Sequence, residues 1–148
     1  MTIPAERLER VVANAELSSD DVRRALAIAC LSVASDGKLA DEEIAALRAM
    51  SGALRGFAAS SLDALVQSSL SLPSRDDRLE QLRATADSLT TEAARHLAYK
   101  MSIATALADS DAADAEFEFE LDLQDALSIP TATADALTAE VGAALRAG

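Results

Sequence analysis

The sequence predicts an all-α fold: a single bundle of about seven to eight helices, built from two similar helical halves at roughly 1–73 and 74–148. Three observations predict it. Apolar residues recur at three- and four-residue spacing along almost the whole chain. Ala and Leu dominate while aromatics make up only 3% and Trp is absent, the composition of helices packed closely together. The third is a repeat. A shift of 73 residues lays Asp36 on Asp109, Asp41 on Asp114, Glu43 on Glu116, Met50 on Leu123 and Leu54 on Leu127. With 148 residues the chain reads as one domain and can bury about 68–70% of its unfolded surface without disulfide or metal staples.

Each helix has its own signals. Pro4 followed by Glu6 starts a first helix over about 4–15. Ser18 and Ser19 offer N-caps for a second, with Asp20 and Asp21 in its first turn and Val22, Leu26, Ala29, Cys30 and Val33 on one face. Asp36-Gly37 breaks it. A third helix over 41–51 buries Ile44, Leu47 and Met50, and Gly52 and Gly56 punctuate its end. Ser60, with Asp63 three residues on, caps a fourth whose stripe is Leu62, Leu65, Val66 and Leu70 and which Pro73 stops. Ser74 with Asp77 repeats the cap for the fifth. Thr90 or Thr91 opens a long sixth helix to about Ala108, turning Leu97, Met101, Ala104 and Leu107 or Ala108 inward. After Pro130 a last helix buries Ala134, Leu137, Val141 and Leu145.

Between the last two lies "DSDAADAEFEFELDLQDAL", residues 109–127. From Asp109 to Asp125 it carries eight carboxylates and no basic residue. Glu116 to Leu123 alternates acidic and apolar residues, the pattern of a half-buried strand. A lone strand in a helical domain would leave its backbone groups unpaired, which is costly. The first copy of the repeat, "ADEEIAALRAM", is plainly helical. The second is therefore expected to be a helix packed on two sides, with Phe117 and Leu121 on one and Phe119, Leu123, Ala126 and Leu127 on the other.

Charge and composition exclude several functions. A net charge of −12 with no basic patch argues against nucleic acid and favours cations or basic surfaces. One cysteine excludes an internal disulfide and a thiolate zinc cluster. The start "MTIPAERLERVV" lacks the layout of a secretion signal, and no apolar run reaches the roughly 18 residues of a membrane span. A cytoplasmic location is expected. There is no P-loop and no G-x-G-x-x-G motif. His96, the sole histidine, sits mid-helix with no nucleophile to serve, and Cys30 reads as a core filler, so no enzyme is expected.

The carboxylates have two readings. "SDGKLADEE" matches the second half of an EF-hand loop in spacing, but Ser32 and Ala34 fall at its first two ligand positions and Ala34 supplies no side-chain oxygen. An ordinary EF-hand is rejected. The segments "VASDGKLADEEIAAL" (33–47) and "ALADSDAADAEFEFELDLQDALSIP" (106–130) instead resemble the twice-repeated motif of the TerB-like family. The closing "LSIP" is similar to the L-G-(I/L)-s that ends the second motif in that family. The resemblance covers about residues 20–147. It implies an all-α domain of two halves, a role in stress response, tellurite resistance or surveillance near the membrane, and acidic loops that bind a divalent cation. By motif match the ligands would be Asp36 and Glu43 in the first copy and Asp109 and Glu116 in the second. Ser110 departs from the glycine expected there. Carboxylate oxygens suit Ca²⁺, Mg²⁺ or Mn²⁺ on chemical grounds as well. The competing reading needs no metal: Asp41, Glu42 and Glu43 are favoured in a helix's first turn, and Asp36-Gly37 is good turn chemistry. The expected function is then a non-enzymatic regulatory domain, metal-responsive or, alternatively, a metal-free acidic module docking a basic or membrane-associated protein partner. Ala-rich helix faces also leave room for a homodimer.

Overall fold

A computed structural model of the chain describes residues 4–12, 18–33, 41–54, 59–108 and 121–146. Among them lie eight helical segments and no strand. These are α1 (Ala5–Val11), α2 (Ser19–Val33), α3 (Asp41–Ala53), α4 (Ala59–Leu70), α5 (Arg75–Asp87), α6 (Glu92–Ala108), α7 (121–126) and α8 (Thr131–Arg146).

α2 and α6 are the centre of the bundle. Ala25, Leu26, Ile28, Ala29, Cys30 and Leu31 of α2 are buried, and every residue from Leu97 to Thr105 except Lys100 is buried on α6. A helix apolar on all sides belongs inside, with other helices around it. The two pack most extensively against each other. α2 also contacts α3, α4 and α5, while α6 contacts α1, α3 and α8. Both helices bury small residues, which let neighbouring axes come close: Ala25 and Ala29 on one, Ala94, Ala98 and Ala104 on the other, all fully buried. The buried hydroxyls are satisfied locally. Ser32 donates to the Ala29 carbonyl at 3.3 Å, Ser102 to Ala98 at 2.8 Å and Thr105 to Met101 at 2.7 Å.

The 73-residue repeat is matched by the order of the helices. The shift carries α1, α2, α3 and α4 onto α5, α6, α7 and α8 in order. Met50 and Leu54 are buried, and so are their equivalents Leu123 and Leu127. The α2–α4 packing recurs as α6–α8, and α1–α6 recurs as α5–α2. One hydrophobic cluster takes side chains from both halves. The ends are tied as well: Arg7 of α1 donates through Nη1 to the Leu145 carbonyl of α8 at 3.3 Å.

Three of the expected caps are in place. The Asp21 N–H donates to Ser18 Oγ at 3.2 Å and the Ala94 N–H to Thr91 Oγ1 at 3.2 Å. Ser74 Oγ accepts from the Asp77 N–H at 3.1 Å and donates to Asp77 Oδ2 at 2.9 Å, an N-cap whose hydroxyl is itself held by the carboxylate three residues on. Ser60 is a correction: α4 begins at Ala59, so Ser60 is inside the helix and not its cap. Two basic residues then fasten the loops before α5 and α6. Arg78 Nη1 donates to the Leu72 carbonyl and Arg95 Nε to the Leu89 carbonyl, both at 3.0 Å.

Three apolar residues sit elsewhere than expected. Ile44 is only half-buried, because the inward stripe of α3 runs through residues 43, 46, 47 and 50. Leu107 is 44% exposed; it stands one turn beyond the buried Ile103, at the last turn of α6. Leu121 is 69% exposed, so α7 does not pack on that side. Leu123 and Leu127 form the buried side, and Leu121 lies roughly 140° from them on the wheel. Phe117 and Phe119, and the strand-or-helix question for Glu116 to Glu120, lie outside the described residues. Residues 121–126 are helical as expected.

α7 ends in a Schellman turn. The Ile129 N–H donates to the Gln124 carbonyl and the Ser128 N–H to the Asp125 carbonyl, each at 3.1 Å. Ser128 takes the left-handed position with φ 54°, the sole positive φ at a non-glycine among the described residues. A side chain there costs roughly 1 kcal/mol relative to glycine. Ser128→Gly is therefore expected to raise stability by about 1 kcal/mol in urea denaturation. A loss of stability would mean that the serine side chain contributes more than its backbone strain removes.

Candidate cation site at the start of α3

Of the four carboxylates proposed from the sequence, the structure places Glu43. Asp36, Asp109 and Glu116 lie outside the described residues, as does Ala34. Among the described residues no group of three or more His, Cys, Asp or Glu side chains is arranged to hold a metal ion. Ser32, the residue at the first EF-hand ligand position, is inside α2 with its hydroxyl turned to its own helix.

Glu43 is the third residue of α3 and is only 2% exposed, whereas Asp41 and Glu42 beside it are exposed. Ala46, Leu47 and Met50 continue its stripe inward. α3 packs on α1, α6 and α4, and Glu43 belongs to the face it buries. Two physical effects bear on a carboxylate there. The unsatisfied N–H groups of the first turn and the helix dipole favour negative charge. Removal from water disfavours it, so a buried carboxylate is held by hydrogen bonds, a cation or both. The third helical position is also where a Glu reaches back to the capping residue, a role that glutamine can share and that needs no metal.

The sequence contained the signal for this burial. At 100° per residue Glu43 falls between Leu47 and Met50 on the helix wheel, about 40° from one and 20° from the other. Assigning Ile44 to the stripe by residue type alone passed over it.

The remaining reactive groups are placed plainly. Cys30 is fully buried on α2 as a small apolar core residue. Burial pushes its thiol up to about 12, and a weak backbone hydrogen bond opposes that. The native thiol therefore stays protonated at pH 8. Cys30 is expected to resist a disulfide reagent until denaturant unfolds the chain, with labelling followed by absorbance. Rapid labelling without denaturant would reveal local opening of α2. His96 is half-buried, with Nε2 3.5 Å from Glu92 Oε1 one turn back on α6. Three long charge pairs sit at the surface, Arg48–Asp63 at 3.5 Å, Lys100–Glu140 at 3.4 Å and Arg75–Asp122 at 3.8 Å, each with at least one exposed partner. Each is worth at most about 1 kcal/mol. Among the described residues no helix is long and apolar enough to cross a membrane.

No family model, no curated protein and no solved structure matches the chain.

Proposed function

We propose that this chain is a non-enzymatic regulatory domain of TerB-like type whose acidic loops bind a divalent cation, Ca²⁺, Mg²⁺ or Mn²⁺. The observation that carries this reading is the burial of Glu43. A carboxylate at 2% exposure, seven residues after Asp36, is suited to act as an inner oxygen ligand of a hard cation. Asp36 would supply the second carboxylate. Asp109 and Glu116 occupy the equivalent sequence positions in the second half, and Ser128 stands at that motif's glycine position with the backbone conformation glycine favours. Both features support the family resemblance from which the site was drawn.

The test is a melting curve of chelator-stripped protein, repeated with Ca²⁺, Mg²⁺ and Mn²⁺ in turn. An ion at a hundred times its dissociation constant adds about 2.7 kcal/mol, which is roughly 5–10 °C in a chain of this size. The gain is expected to vanish when Asp36→Asn and Glu43→Gln are combined. Glutamine at 43 keeps the capping option, so the variant separates a ligand from a helix cap. Absence of a shift with every ion would sink the metal.

The second reading, a metal-free module that docks a basic or membrane-associated protein partner, rests on a different observation. Leu107, two residues before the stretch Asp109–Asp125 with its eight carboxylates and no basic residue, and Leu121 within it are both exposed. Such docking would weaken steeply with added salt.

A further inference from the structure

No further inference is drawn: the strongest candidate, the groove between α2, α4 and α5 over Leu31, Leu65 and Leu72 with Gln81 and Thr85 on its rim, is an apolar cleft and nothing in the structure shows what covers it.

Discussion

Tyr99→Ala is expected to destabilise the fold by about 3–5 kcal/mol, the range for removing a large aromatic from a core. Tyr99 is 1% exposed and is among the largest fully buried side chains of the molecule. It sits on α6, the helix that touches α1, α2, α3 and α8, and its hydroxyl lies 3.5 Å from Thr138 Oγ1 of α8. Its truncation opens a void where several helices meet, so collapse of one neighbour cannot fill it. The repeat sharpens the expectation. The 73-residue shift pairs Tyr99 with Leu26, which is fully buried at the same place in α2. Leu26→Ala should cost about 2–5 kcal/mol by the same mechanism. Tyr99→Phe keeps the ring and is expected to cost about 1 kcal/mol, the usual net worth of one hydrogen bond. Urea denaturation of the three variants measures this order. With total stability on the order of 5–15 kcal/mol, Tyr99→Ala should lower the melting temperature by roughly 6–20 °C. A loss under 1 kcal/mol would contradict the central position given to α6.

The residues that made the fold legible are those whose burial follows from spacing. Val22, Leu26, Ala29 and Cys30 fall three and four apart, and α2 buries all of them. The same holds for Ala134, Leu137, Val141 and Leu145 on α8. Caps were legible where a hydroxyl stood just ahead of acidic first-turn residues, as at Ser18, Ser74 and Thr91. Ser60 misled because Ser61 and Ala59 are equally able to begin a helix, so residue type did not fix the boundary. Leu107 and Leu121 misled for another reason. An apolar residue near a helix end is inward only if a neighbour reaches that side, and the sequence carries no such information. That the Ser128 backbone is left-handed is set by the tertiary route from α7 into α8. At the site, the motif resemblance singled out Glu43 as a ligand candidate, and its wheel position between Leu47 and Met50 placed it on the face that α3 buries.

Glu43→Lys is expected to cost about 3–5 kcal/mol, the penalty for leaving a buried charge site without its counterpart. Three effects add. The ammonium would face the positive end of α3, a reversal worth about 0.3–1 kcal/mol in exposed helices and more when buried. The longer stem must fit beside Ala46, Leu47 and Met50 on a face with no open side, since Glu43 is 2% exposed. Whatever holds the carboxylate, cation or hydrogen-bond donor, would meet a group that accepts nothing. Glu43→Gln separates these effects. It keeps the size and one acceptor oxygen while the charge and the second oxygen give way to an NH₂ donor, so without metal it should fall within about 1 kcal/mol of the parent chain if one acceptor suffices there. The two substitutions, measured by urea denaturation with chelator present, give a difference that reports charge and reach rather than simple loss of packing. If Glu43→Lys loses less than about 1 kcal/mol, the side chain at this position finds water easily. The burial that supports the cation site would then have no energetic consequence. If Glu43→Gln is as damaging as Glu43→Lys, the negative charge itself holds the start of α3 even without a cation. The capping role would then be excluded, because glutamine satisfies it. A mild Glu43→Gln that also abolishes the metal-induced shift is the result the proposed site requires, since it separates what folds α3 from what binds the ion.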